Sequence, residues 1–259
     1  MSSGVNDLAG ARQLLTPLLG ESRLESLAPL GHHGADRALR GGLMRGALHE
    51  VFAGDASGAA FGFAAALAGR AGGHKRMLWI VQDFSALEHG QVSATGLAEF
   101  GLDPARVLLM RAANAVDALR AGADALGCAA LGAVLIEVPG NPKILDLTAS
   151  RRLVLGSQGK GVTALLLRSG ARIEPSAAQT RWTVRSARSA PADDWGSPRF
   201  DAELTRNRRG ETGRWTMEWC CDDDAFRQPA EPAAHPGAVA AAAADRPAAT
   251  PPQRFSRTG

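Results

Sequence analysis

The stretch that decides the fold is "EVFAGDASGAAFGFAAALAGR", residues 50–70. A β-like run ends at Ala53, a Gly-rich turn follows, and a helix of small residues begins after Gly58. This order is the layout of a phosphate-binding loop, in which backbone N–H groups at the start of the helix surround a phosphate. The stretch therefore predicts an α/β fold with such a loop at its centre.

The residues that give a phosphate loop its chemistry are absent from this one. A working loop reads G-x-x-x-x-G-K-[ST], in which Lys neutralises phosphate and the hydroxyl holds Mg²⁺. Here Gly54 and Gly58 are one residue closer together than the motif requires, and Ala59 and Ala60 replace the cation and the metal ligand. Asp55 adds a negative charge where a phosphate would lie. The sequence therefore predicts a degenerate loop with weak or no nucleotide binding.

An acid at the end of a buried strand is the other part of an ATPase that the sequence offers. Glu137 ends the run "AVLIEV", as the metal-holding acid of such folds does, although acids at strand ends also serve solvation alone. The candidate nucleotide site consists of Gly54, Asp55, Ala56, Ser57, Gly58, Ala59, Ala60 and Glu137. We expect no catalytic residue, no metal ligand and no bound cofactor, with ATP as the unfavoured alternative.

Strand-like and helix-like segments alternate along the first two thirds of the chain. The predicted strands are residues 47–53, 77–81, 106–110, 133–138 and 162–168, and the predicted helices are residues 58–70, 86–100, 114–127 and 144–156. Alternation of this kind favours a mostly parallel central sheet covered by helices. Residues 181–187, 199–206 and 213–220 alternate apolar and polar side chains more strictly, which predicts antiparallel strands added at the C-terminal side.

The predicted organisation has three parts. Residues 1–40 form a helical and loop segment, residues 41–227 form the core, and residues 228–259 form a disordered tail. The tail holds six of the fourteen prolines and almost no large apolar side chains. Residues 31–46 are expected to be a loop, with His32 and His33 solvated rather than bound to metal.

Composition limits the class of protein. The net charge is +3, no segment has the apolar length of a membrane span, and no secretory signal is evident. The three cysteines, two of them adjacent, suit a reduced chain better than a disulfide framework. We therefore expect a cytoplasmic protein that makes no membrane contact.

The second half of the chain is basic and carries tryptophans. Residues 151–214 hold thirteen Lys or Arg against six Asp or Glu. Such a surface favours a protein interface or DNA phosphates, whereas the plainer interpretation is a solvated arginine face with tryptophans in the core. The candidate contact residues are Arg181, Trp182, Arg185, Arg206, Arg208, Arg209, Arg214 and Trp215.

The order of these segments resembles the core of RecA-family recombinases. "GGLMRGALHEVFAGDASGAAFGFAAALA" is similar to their entry strand, loop and helix, and "MLWIVQDFSAL" is similar to their second core strand. Hydrolysis in that family needs a Glu just after this second strand to position water. Phe84 stands at the corresponding place here, beside Asp83, so a second catalytic part is missing.

Within that superfamily the chain resembles the ImuA family. The stretches that carry this resemblance are "GALHEVF", "LLLRSGARIEPSAAQTRWTVRSA" and "FDAELTRNRRGETGRWTMEW". The resemblance implies a non-catalytic, RecA-like accessory protein of the SOS response. It would act in error-prone translesion synthesis after DNA damage, as an adaptor that docks ImuB and, through ImuB, a replicative-type polymerase. RecA and a second copy of the chain are further implied contacts. The alternatives are a weak DNA-dependent ATPase of RecA type and a cell-division inhibitor of SulA type that acts on FtsZ.

Overall fold

The computed structural model of the protein describes residues 26–83, 87, 90–189 and 196–229. The strands are β1 (Leu27–Ala28), β2 (Leu43–Met44), β3 (Leu48–Ala53), β4 (Arg76–Gln82), β5 (Val107–Ala112), β6 (Leu131–Glu137), β7 (Thr163–Arg168), β8 (Thr180–Ser186), β9 (Arg199–Asn207), β10 (Gly213–Cys220) and β11 (Ala225–Arg227). The helices are α1 (His33–Ala38), α2 (Ala59–Gly72), α3 (Ala94–Glu99), α4 (Ala115–Ala125) and α5 (Leu147–Lys160), with a 3₁₀ turn at Pro104–Arg106.

A nine-stranded sheet forms the centre of this part of the chain, in the order β11-β10-β9-β8-β3-β7-β6-β4-β5. The strands from β8 to β5 run parallel, and β9, β10 and β11 are added antiparallel to their neighbours. The predicted fold class, an α/β core with a mostly parallel sheet and antiparallel strands at its C-terminal side, is confirmed. Strand β3 lies in the middle of the sheet, so the loop that follows it leaves from the centre of the carboxyl edge.

Helices cover both faces of the sheet, which explains the continuous apolar runs in its central strands. Every residue of β6 and β7 is buried. Helix α2 packs on one face, and α4 and α5 pack on the other, giving two separate apolar clusters. Asn114 caps α4 as predicted, because its side chain accepts a hydrogen bond from the backbone N–H of Asp117.

A glycine of β6 allows α2 to lie directly against the sheet. A Cβ built on Gly132 at the start of β6 would collide with the backbone of Gly72 at the end of α2. The helix and the strand therefore touch through their main chains, which is available only where side chains are absent. This contact fixes the C-terminal end of the helix whose N-terminal end follows the phosphate loop.

An aromatic cluster joins α2 to the antiparallel side of the sheet. The Phe63 ring of α2 lies 5.4 Å from the Trp182 ring, 5.6 Å from the Phe200 ring and 5.0 Å from the Phe226 ring. All four side chains are buried. Tilted and edge-on ring pairs at these distances add to the stabilisation from burial, so the added strands are part of the same core as the parallel sheet.

The structure corrects three of the sequence-based assignments. Strand β8 was expected to be antiparallel, but it pairs parallel with β3 and antiparallel with β9, because residues 169–179 carry the chain across to the far side of β3. The expected loop at residues 31–46 contains α1 and β2. Of the helix expected at 86–100, the described residues hold only α3 as a bounded helix.

The boundary predicted at residue 40 falls inside one packed unit. Leu30, Ala35 and Leu39 are buried in the same cluster as α2, and His32, expected to be solvated, is buried between α1 and the end of the described chain. Its imidazole Nδ1 accepts a hydrogen bond from the Ala35 backbone N–H, and Nε2 lies 2.7 Å from the Gln228 amide oxygen. The predicted N-terminal helix up to residue 25 and the predicted tail from residue 230 lie outside the described residues.

Candidate functional site

The phosphate loop joins the end of β3 to the start of α2. Gly58 is the residue before the helix and has a φ of 77°, in the left-handed region. Nothing lies within 4 Å of a Cβ built on Gly58. Glycine is therefore favoured here by backbone conformation rather than by lack of space. The strand, turn and helix predicted from the sequence are confirmed as a backbone arrangement.

The carboxylate of Asp55 occupies this loop. One oxygen accepts hydrogen bonds from the backbone N–H and the hydroxyl of Ser57, the former at 3.1 Å. The other accepts from the backbone N–H of Ser186 at 2.8 Å and from its hydroxyl at 3.1 Å. Burial raises the pKa of Asp55, but these hydrogen bonds outweigh burial and hold the pKa below its usual value.

A hydrogen bond within the chain also occupies a backbone N–H group at the start of α2. The Ser57 hydroxyl oxygen accepts a hydrogen bond from the Ala59 backbone N–H at 3.2 Å. In a phosphate-binding loop, N–H groups at this position would point at the ligand. Here an internal carboxylate and an internal hydroxyl take the donors of Ser57, Ala59 and Ser186.

A cavity of about 520 Å³ opens between this loop and the carboxyl ends of β6 and β7. Its lining residues are Ala53, Gly54, Asp55, Ala56, Gly58, Phe61, Pro139, Gly140, Ser169 and Gly170. None of them carries a positive charge, and Asp55 carries a negative one. The nearby Arg168 donates instead to the backbone carbonyl oxygens of Val138 and Gly140, and burial lowers its pKa. These residues do not fit a triphosphate with its Mg²⁺, which needs cationic and hydroxyl ligands.

Glu137 lies beside the loop but is turned into the protein. Its side chain is buried, and one carboxylate oxygen accepts a hydrogen bond from the Trp79 indole N–H at 2.6 Å. A second cavity, of about 240 Å³, is lined by Glu137 together with Gly58, Phe61 and Phe100. The contact with Trp79 gives this acid a structural role, and Trp79 is a partner that sequence reasoning missed.

The sequence predicts that no water-positioning acid follows β4, and the structure describes only part of this segment. Asp83 accepts a hydrogen bond from the Arg111 guanidinium at 2.8 Å, and both side chains are exposed. Phe84 lies outside the described residues. Within the part of the chain that the structure describes, no group of three or more His, Cys, Asp or Glu side chains is placed to hold a metal ion.

Two of the predicted contact residues are interior residues. Trp182 is fully buried, with its ring against Phe63. Arg181 is buried as well, and its guanidinium makes a 2.8 Å ion pair with the buried carboxylate of Glu50. The contact role predicted for Arg181 and Trp182 is therefore wrong, because neither side chain reaches the surface of the described chain. A charged residue such as Glu50 inside a buried central strand was the available sign that an internal cation was needed.

Three other candidates lie on β8 and β10. The Arg214 guanidinium donates two hydrogen bonds to the Asp201 carboxylate, at 2.7 and 2.6 Å. The Arg185 guanidinium lies 4.0 Å from carboxylate oxygens of Asp201 and Glu203. Trp215 is half-buried, with its ring 6.2 Å from that of Trp182. The basic charge on this face is thus largely balanced by acids that the sequence count did not place beside it.

The last three candidates lie at the end of the β9–β10 hairpin. Arg206 donates to the backbone carbonyl oxygen of Ser176 at 2.9 Å, whereas Arg208 and Arg209 line a cleft about 710 Å³ in volume. Arg37 and Arg40, from the segment around α1, line the same cleft. Sequence reasoning missed these two arginines because they are distant in the chain and lie in a segment expected to be a loop.

Known proteins are similar to this chain in sequence and in fold. No family model matches the chain. Protein ImuA from Caulobacter vibrioides strain NA1000 / CB15N is 32% identical over 138 residues, and protein ImuA from strain ATCC 19089 / CIP 103742 / CB 15 matches equally. Over these aligned residues, the chain is similar to ImuA. The aligned region covers 48% of this chain and 55% of each relative, so the chain spans about half the length of the curated ImuA proteins that it matches.

A solved structure is also similar to this chain in its fold. The crystal structure of the RadB recombinase matches with a TM-score of 0.54 over 79% of this chain and 100% of that one, at 15% identity. The predicted resemblance to the ImuA family, with a RecA-like core, is confirmed. None of the described helices combines the length and the apolar character needed to cross a bilayer.

Proposed function

We propose that this chain is a non-catalytic, RecA-like adaptor in error-prone translesion DNA synthesis induced by DNA damage. Homology to ImuA supports a place in that system. The observation that carries the non-catalytic part is the internal hydrogen bonding of the phosphate loop. Asp55 and Ser57 accept from the N–H groups of Ser57 and Ala59, and Ala59 and Ala60 stand where a cation and a metal ligand would be required.

The electrostatics of the loop oppose phosphoryl transfer. That reaction depends almost entirely on positioning and on cations that neutralise the transferring phosphoryl group. The cavity beside the loop offers no cationic side chain, and an ionised Asp55 would repel an incoming phosphate. A core that keeps its packing without this chemistry still presents stable surfaces to other proteins.

In this proposal the adaptor docks ImuB and, through ImuB, a replicative-type polymerase. RecA and a second copy of the chain are further contacts. The protein works in the cytoplasm and needs no cofactor.

The catalytic part is tested by phosphate release from ATP and Mg²⁺, with and without single-stranded DNA, using RecA as the positive control. We expect no release above the blank and no heat of binding in isothermal titration with ATP. DNA-stimulated turnover would overturn the non-catalytic assignment in favour of a RecA-type ATPase.

The adaptor part is tested by co-purification of the full chain with ImuB. We expect a complex that persists without nucleotide, because no step of docking uses the loop. Absence of a complex, together with inhibition of FtsZ sedimentation, would replace the adaptor with a cell-division inhibitor.

A further inference from the structure

Four arginines from two distant parts of the chain line one cleft. Arg37 and Arg40 belong to α1 and the turn that follows it, and Arg208 and Arg209 belong to the β9–β10 hairpin. Ala38, Gly210 and Glu211 complete the lining, and Glu211 is its single acid. We call this surface the arginine cleft.

The backbone holds the two walls of the arginine cleft together. The Asn207 side-chain amide donates to the carbonyl oxygen of Ala38 at 2.8 Å and to that of Glu211 at 3.0 Å. A Cβ on Gly210 would collide with the same Ala38 carbonyl oxygen. The spacing between the arginines therefore follows from fixed backbone contacts, and the cleft is a formed feature of the fold.

Arg40 has a backbone conformation that its residue type disfavours. Its φ is 57°, and Asp224 is the only other non-glycine residue with a positive φ in the described chain. It follows the last residues of α1, where glycine is usual, and glycines do occupy the next two positions. An unfavourable conformation that the surroundings impose is found most often where a side chain has a function.

Positive charge in and beside the cleft is only partly compensated. Arg208 and Arg40 are exposed, and burial together with the charge of Arg208 lowers the pKa of the neighbouring Arg206. Glu211 is the one acid among the lining residues, whereas Arg37, Arg40 and Arg208 alone contribute three guanidinium groups. The cleft therefore carries a net positive charge, which favours anionic ligands.

We propose that the arginine cleft binds a carboxylate-rich segment of a protein partner. Guanidinium groups pair with carboxylates through two parallel hydrogen bonds, so a fixed group of arginines selects them well. The proposal takes from the adaptor function above only the idea that the partner is a protein.

Nucleic acid fits the arginine cleft less well. No aromatic side chain lines it, whereas proteins that hold single strands stack bases on aromatic rings. The arginines also line a single concave cleft, whereas proteins that bind the sugar-phosphate backbone of duplex DNA contact many successive phosphates.

The test measures anisotropy of a short fluorescent peptide of alternating glutamate and serine, titrated with the full chain. The variants are Arg40→Glu/Arg208→Glu, which reverses two charges of the cleft, and Arg40→Gly, which removes one cation and suits the left-handed backbone. Arg120→Glu/Arg152→Glu makes the same change of net charge at exposed positions outside the cleft. Labelled oligo-dT is titrated in parallel, and thermal melting checks that each variant folds.

We expect peptide binding to weaken by about tenfold or more in the double cleft variant, whereas the matched control stays within about twofold of wild type. Arg40→Gly should weaken binding by a smaller factor while melting at the same or a higher temperature, which separates loss of binding from loss of folding. Equal weakening in the matched control would overturn the proposal, because binding would then follow net charge alone. Cleft-dependent binding of oligo-dT without cleft-dependent binding of the peptide would replace it with a nucleic-acid site. Neither result depends on ImuB or ATP, so this proposal and the adaptor function can fail separately.

Discussion

The carboxylate of Asp55 is bound to Ser186, 131 residues further along the chain, through both the backbone N–H at 2.8 Å and the hydroxyl at 3.1 Å. The loop that follows β3 is thus linked to the end of β8 through the carboxylate of Asp55. The same carboxylate also accepts from the Ser57 backbone N–H, so a phosphate bound at the start of α2 would compete with Asp55 for that donor.

Replacing Asp55 with Ala should therefore loosen the loop and admit an outside anion. We expect unfolding to become easier by about 1 kcal/mol, since hydrogen bonds to an exposed carboxylate contribute modestly. We also expect weak pyrophosphate binding where the wild type shows none, because the donors and the local charge become favourable. Urea denaturation and isothermal titration measure the two effects. A variant as stable as the wild type and equally indifferent to pyrophosphate would show that the link to Ser186 is incidental.

Gly58→Ala should destabilise the fold although it creates no collision. The φ of 77° is strained for alanine, and we expect a cost of about 1 kcal/mol in chemical denaturation. Gly159→Ala is the matched control, because Gly159 lies in α5 without positive φ and with open space around it. That control should stabilise by roughly 0.5–1 kcal/mol, as alanine does in a helix. Opposite signs for the two substitutions are required; equal signs would contradict the conformational argument.

Arg181→Ala should be far more damaging than Arg214→Ala. Removing Arg181 leaves the buried Glu50 carboxylate without its ion pair, which typically costs about 3–5 kcal/mol. Arg214 is exposed, and its pair with Asp201 is screened by water, so its loss should change stability little. Thermal melting of both variants makes the comparison. Similar melting temperatures for the two variants would contradict the burial of the ion pair between Arg181 and Glu50.

Stability should fall as the pH is lowered from about 6.5 towards 4, because of His49. Burial lowers its pKa to about 4, and its Nδ1 and Nε2 lie within hydrogen-bond distance of Thr180 Oγ1 and the Met44 carbonyl oxygen. An unfolded histidine binds a proton below its ordinary pKa of about 6.5, so protons favour the unfolded chain throughout that interval. The full loss is on the order of 3 kcal/mol at about 1.4 kcal/mol for each pKa unit.

Denaturation curves at a series of pH values test this prediction. His49→Asn is the informative comparison, since it removes the titrating group and should flatten the dependence above pH ~5.5, where carboxylates of ordinary pKa are ionised. An unchanged pH profile in His49→Asn would assign the dependence to another group.

Much of the core could be predicted from local patterns, because strand-like apolar runs alternate with helix-like segments along the first two thirds of the chain. The runs that form β6 and β7 are continuously apolar and buried on both faces, so their length and composition carried the assignment. The direction of β8 could not be predicted, since parallel pairing with β3 depends on where residues 169–179 lead the chain. Local alternation describes a strand's two faces and does not name its neighbour.

The candidate site divides in the same way. The glycines and alanines of the loop are adjacent in sequence, and their arrangement was predictable. The other features of the site join residues that are far apart in the chain. They are the hydrogen bond between Asp55 and Ser186, the ion pair between Glu50 and Arg181, and the cleft that Arg40 and Arg208 both line. Counting charges in a segment cannot show which arginine points inward.

The contact between Gly72 and Gly132 has a consequence for re-engineering. Because the close approach at Gly132 fixes the C-terminal end of α2, the helix would keep its position if the residues at its beginning were exchanged. Lysine and threonine introduced at positions 59 and 60, with Asp55 neutralised, would then be presented on a ready-made platform. The packing of α2 on the sheet thus provides a scaffold on which the residues of the loop can be exchanged.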